Sequence, residues 1–197
     1  MRLPRVLLVL ACASALVGAA AGCGSGGGGG TKYSGAKPAA WAATVCGALT
    51  DWAQGLQADS KTLSADLQNA KDISTVKAKF VVFLESASRS AGTMISKVKA
   101  AGPPAVKNGD ELQSDLEGGL SAAKRSFEKA VAKAKALPTK DPQGFSNGVT
   151  NLGQNVEKEL TATGEAFNKL GSKYNDKNLN EATSKEPSCS KLSGSSS

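Results

Sequence analysis

The 197-residue chain contains no histidine. That absence removes the commonest general base, the commonest zinc ligand and every Ser-His or Cys-His nucleophile arrangement. Carboxylates do cluster, with Asp110, Glu111 and Asp115 in one group and Glu157, Glu159 and Glu165 in another. Di-metal helical bundles, however, pair inward carboxylates with Glu-x-x-His, and without histidine that pattern is missing. No catalytic residue, metal site or cofactor is expected, and the chain does not read as an enzyme. Aromatic residues make up only 5 % of the chain, so an interior must be assembled mainly from Ala, Leu and Val. Valine and threonine never alternate with period two, so no strand competes for the fold. The apolar stretch at residues 6–21 falls short of the roughly 20 residues that a membrane-spanning helix needs.

What is present begins at that stretch. Arg2 and Arg5 precede it, giving the charged and apolar regions of a signal peptide. Ala20, Ala21 and Gly22 then lead into Cys23. This resembles the lipobox of bacterial lipoproteins, with Ala20 where leucine is usual. The resemblance implies that residues 1–22 are a cleaved signal peptide and that Cys23 is lipidated as the first residue of the mature chain. Cys12 has a similar context, but residues 6–11 would make an apolar region below the roughly 7 residues a signal requires. A secreted protein cut near Ala21 is the other alternative, and it would leave Cys23 as an odd exposed thiol. Residues 23–37 are rich in Gly and Ser and are expected to act as a flexible tether with an end-to-end distance of roughly 20 Å. Gly24, Gly26 and Gly29 match G-x-G-x-x-G only because any polyglycine does, and no strand precedes them.

Removing Arg2 and Arg5 from 24 basic and 17 acidic residues leaves 22 − 17 = +5, a modest excess. From Pro38 onward, apolar residues recur at steps of three and four, which predicts helices over residues 38–70, 73–101, 106–137 and 142–174. Trp41, Val45, Leu49, Trp52, Leu56, Leu63 and Leu67 mark the first, with an interruption near Asp59. Asp72 is placed to cap the second, and Gly102-Pro103-Pro104 to end it. The third runs from acidic to basic, which complements its macrodipole. The fourth opens with Asp141-Pro142, an N-cap followed by proline at the first helical position. Its five glycines, Gly144, Gly148, Gly153, Gly164 and Gly171, imply fraying or close backbone packing. The expectation is an all-α fold, an antiparallel up-down-up-down four-helix bundle over residues 38–190, with a disordered tail at 191–197.

In such a bundle the start of the first helix and the segment after the fourth share an end. Cys46 and Cys189 lie there and are expected to form a disulfide in an oxidising compartment, two buried free thiols being the alternative. With no C-x-x-C, the pair reads as structural rather than redox-active. The stretch WAATVCGALTDW, residues 41–52, and PSC, residues 187–189, are similar to small secreted or lipid-anchored helical proteins of actinobacteria. That group has no assigned activity, so the resemblance supplies a setting but neither a catalytic residue nor a ligand.

The functional expectation is a lipoprotein held at the extracytoplasmic face of the cell membrane. Its helical domain would bind or organise a partner at the cell envelope; the alternative is a carrier of an apolar small molecule or lipid between its helices. Lys124, Arg125, Lys129 and Lys133 are candidate contacts for an anionic polymer or envelope protein, although with Glu128 interleaved a solvated helix face is the preferred reading. No nearby aromatic offers base stacking, and nucleic acid is not an expected partner. Lys97, Lys99, Lys107, Lys169, Lys173 and Lys177 lie toward the tethered end, where anionic headgroups are within reach. Trp41 and Trp52 fit a core at their helical spacing better than a ligand slot.

Overall fold

The computed structural model describes residues 32–192; the expected signal peptide, Cys23, the glycine run and residues 193–197 lie outside them. The described chain is all-helical: α1 (Pro38–Gln68), α2 (Ile73–Ala101), α3 (Gly109–Lys135), α4 (Pro142–Lys173), α5 (Lys177–Lys185) and α6 (Pro187–Leu192). Four long helices match the periodicity, and their ends follow the capping chemistry. Asp72 accepts a hydrogen bond from the Thr75 backbone N–H at 2.8 Å, and Asp141 does the same for Gly144 at 3.0 Å. Proline stands in the first turn of both α1 and α4, where its missing N–H costs nothing.

One local expectation holds and two are corrected. First, α1 runs unbroken through Asp59, as a single helix over residues 38–70 requires; the Asp59 carboxylate accepts a hydrogen bond from Ser86 Oγ of α2 at 2.8 Å, so the polar interruption serves a helix contact. Second, the third helix begins at Gly109 rather than near Val106, because Pro103, Pro104 and a left-handed Asn108 (φ 58°) turn the chain first. Val106 is nonetheless buried, inside that turn. Third, the polar stretch after Tyr174 folds into α5 and α6, with Lys191 and Leu192 still helical. Asp176 caps α5 through the N–H groups of Asn178 and Leu179, and Leu179 is buried.

Two hydrophobic clusters share the interior. One joins Trp41, Val45, Met94, Val98, Leu112, Leu116, Leu120, Tyr174 and Leu179. The other joins Leu84, Ala87, Phe127, Ala130, Ala134 and Leu152, flanked by partly buried Leu56, Phe80, Phe83, Val156 and Leu160. Trp52 packs against both, edge-on to Phe127 with ring centroids 6.2 Å apart. Consecutive long helices pack on one another, while α5 and α6, rather than α4, lie against α1. The reason is that Leu179, Ala182 and Cys189 supply the apolar cover that α4 withholds from α1.

The glycines of α4 divide by surroundings. A Cβ at Gly148 would sit 2.3 Å from Leu137 Cδ2, so the α3–α4 corner packs against bare backbone there. Gly153, Gly164 and Gly171 have nothing within 4 Å of such a Cβ. Replacing these three by alanine is expected to stabilise the protein by up to about 1 kcal/mol each, read as a higher thermal midpoint.

Candidate functional site

The end of the molecule where α1 begins is the most elaborately built. The disulfide joins Cys46 of α1 to Cys189 of α6 across 143 residues of sequence. Beside it, Thr50 Oγ1 donates to the Ser188 carbonyl at 2.9 Å, pinning α6 a second time. Deeper in, Trp41 Nε1 donates to Gln113 Oε1 at 3.0 Å, and Gln113 Nε2 donates to the Val98 carbonyl at 2.9 Å and to Glu117 at 2.8 Å. One buried amide therefore ties α1, α2 and α3 together, with its polar atoms satisfied as burial requires. Gln113 was not singled out in the sequence; its signal is a polar residue next to Leu112 within an apolar stripe.

The same end holds a backbone clamp. Ala36 N–H donates to the Pro103 carbonyl at 2.8 Å, and Ala105 N–H donates to the Ala36 carbonyl at 2.7 Å. These bonds strap the segment leading into α1 onto the α2–α3 turn. Gly35 makes the approach with φ at +132°, and a Cβ there would lie 2.4 Å from the Pro103 oxygen. Only glycine fits both constraints. The expected tether thus ends before the clamp, two or three residues earlier than the predicted boundary at residue 37.

Asp115 of α3 accepts from Lys173 Nζ at 2.8 Å and from the Tyr174 hydroxyl at 2.7 Å. Its carboxyl is held below the ordinary aspartate range, first by the Lys173 hydrogen bond and next by that of Tyr174. The Lys173 ammonium is raised in turn, chiefly by the Asp115 hydrogen bond. A carboxyl with a lowered folded-state pKa contributes stability above its unfolded value near pH 4, and loses it as pH falls through the folded value. The native protein should therefore exceed Asp115→Asn in stability at neutral pH, with the gap narrowing as pH falls below the ordinary aspartate range. Urea midpoints for both proteins from neutral to acid pH measure it.

The predicted site residues fall as follows. Cys23 lies outside the described residues. Lys124 pairs with Glu128 and lies over Gly92 of α2. Arg125, Lys129 and Lys133 are exposed at four-residue steps along α3, so they share one face and Lys124 stands apart. Of the lysines expected near the tether, Lys97 pairs with Asp51 and Lys173 with Asp115. Trp41 is core, 5 % exposed, whereas Trp52 is partly buried and its buried Nε1 finds no partner.

Two depressions among the described residues are shallow and open to solvent. One lies among Asp110, Glu111, Ser114, Asp115, Lys173 and Tyr174, the other among Glu85, Ser88, Arg89, Glu128 and Val131. Among the described residues, no group of three or more Cys, Asp or Glu could hold a metal ion, and no helix is long and apolar enough to cross a membrane. No family model, curated protein or solved structure matches the chain.

Proposed function

We propose that the protein is a lipoprotein anchored at the extracytoplasmic face of the cell membrane, whose non-catalytic helical domain binds or organises a partner at the cell envelope. The observation that carries this reading is the succession, in one chain, of a charged and apolar leader, Ala20-Ala21-Gly22-Cys23, and a glycine-rich linker ahead of a histidine-free helical domain. The cysteine bridge fits an oxidising compartment.

Within this reading the four long helices run up, down, up and down. Two sets of contacts support that order. Trp41, Val98 and Gln113 meet at one end. At the other, Lys77 donates to the Leu137 carbonyl at 2.7 Å and Lys79 pairs with Asp66. The turns at residues 69–72 and 136–141 then face away from the membrane and are the surfaces offered to a partner. Arg125, Lys129 and Lys133 extend that surface toward an anionic polymer or protein. A carrier function would call for an enclosed cavity lined by Trp, Phe and Leu; the two depressions are open to solvent and none of these residues lines them, which weighs against it.

Intact mass of the membrane-extracted protein tests the reading. Cleavage before Cys23, an added diacylglycerol, and cysteines that resist alkylation until reduction are expected. An unlipidated chain would overturn the anchor.

A further inference from the structure

The clamp fixes where the chain that carries Cys23 leaves the folded domain. Residues 35 and 36 are strapped to the α2–α3 turn, so that turn, the start of α1 and the residues just before it form one tip. Eight residues lie between Cys23 and Lys32, so the link reaches no more than about 30 Å even when fully extended. The tip is therefore the part of the domain closest to any lipid on that cysteine.

Its surface chemistry is distinctive. Lys32 and Lys37 stand on the clamped segment, Lys99 on the last turn of α2, and Lys107 in the turn itself, all exposed. None of the four forms an ion pair among the described residues, in contrast to Lys97 and Lys173. Asp110 and Glu111, on the first turn of α3, carry opposing charge and line the depression that also holds Asp115. Tyr33 adds an aromatic ring, 42 % exposed, one of two exposed large hydrophobic side chains among the described residues. Tyrosine suits the headgroup layer of a bilayer, with its ring toward the apolar side and its hydroxyl in water. Lysines within a Debye length of anionic headgroups are attracted to them, and those tied up in ion pairs have less to offer.

We infer that this tip, through Lys32, Lys37, Lys99, Lys107 and Tyr33, docks on anionic lipid headgroups and so holds the long helices in a set orientation on the membrane. The inference rests on the lipid-anchor reading and deepens it: the anchor would supply residence at the membrane, and the tip orientation.

The test places the membrane-extracted protein in vesicles of phosphatidylcholine alone, or with about 30 % phosphatidylglycerol, doped with a dansyl-headgroup lipid. The two tryptophans, Trp41 and Trp52, are the donors, and Trp41 lies in the first turn of α1. Energy transfer is expected to be at least about twofold higher in the anionic vesicles, and to fall to the neutral-vesicle level at about 0.5 M salt. A K32Q/K37Q/K99Q/K107Q variant should show the neutral level in both, whereas R125Q/K129Q/K133Q should behave as native. Equal transfer in the two vesicles, or native behaviour of the first variant, overturns the docking alone. A protein that floats with neither vesicle overturns the anchor, and the docking with it.

Discussion

Replacing Cys46 and Cys189 together by serine is expected to lower the thermal midpoint by about 10–20 °C. The bridge closes a loop of 143 residues, and removing that constraint enlarges the unfolded ensemble by an amount worth about 5 kcal/mol in the chain-entropy model. For a domain of this size, each kcal/mol moves the midpoint by about 2–4 °C. The double replacement avoids a stranded thiol, so the change reports the cross-link itself. Locally, α6 has six residues, too few to persist without tertiary support. Its other ties include the Thr50 to Ser188 bond and the partial burial of Cys189. Amide exchange should therefore speed up first in α5 and α6. A midpoint shift under about 3 °C would mean that Leu179 and Ala182 hold these helices by packing alone.

Truncating Phe127 to alanine is expected to cost about 3–5 kcal/mol, measured from urea midpoints at unchanged slope. Phe127 is 3 % exposed at the centre of the second cluster. Its neighbours there include Ala87, Ala130 and Ala134, which have no side-chain length with which to refill the space. Trp52 would also lose the ring it meets edge-on, while its Nε1 already lacks a partner. Against a total stability of about 5–15 kcal/mol, such a loss brings a domain near its unfolding threshold. A cost below about 1 kcal/mol would show that the neighbouring helices close over the gap.

Much of the architecture was legible because helical order is written locally. The stripes through Val98, Leu116 and Leu152, the caps at Asp72 and Asp141, and Pro142 at the first helical position each use contacts within a few residues. The Cys46–Cys189 pair was legible for a different reason: the expected bundle order brings those two cysteines to one end, and the structure bridges them. The short helices were not, since nine and six residues give no more than about two and a half turns in which to display a period. The role of Gln113 was equally hidden, because its partner Trp41 lies 72 positions away and no periodicity relates them. Lys97 and Lys173, placed by the sequence within reach of headgroups, pair instead with Asp51 and Asp115, partners 46 and 58 positions away.

The amino-acid order alone therefore determined the helical class, the limits of the long helices to within a few residues, and a chemistry without histidine, since these depend on backbone preference, side-chain spacing and composition. Only the tertiary structure decided that α5 and α6 cover α1, that the core divides around Trp52, and that Ala36 is strapped between Pro103 and Ala105. Those features arise from contacts between residues far apart in the chain, where the gain comes from burying a particular surface or satisfying a particular hydrogen bond, and such gains leave no local pattern to read.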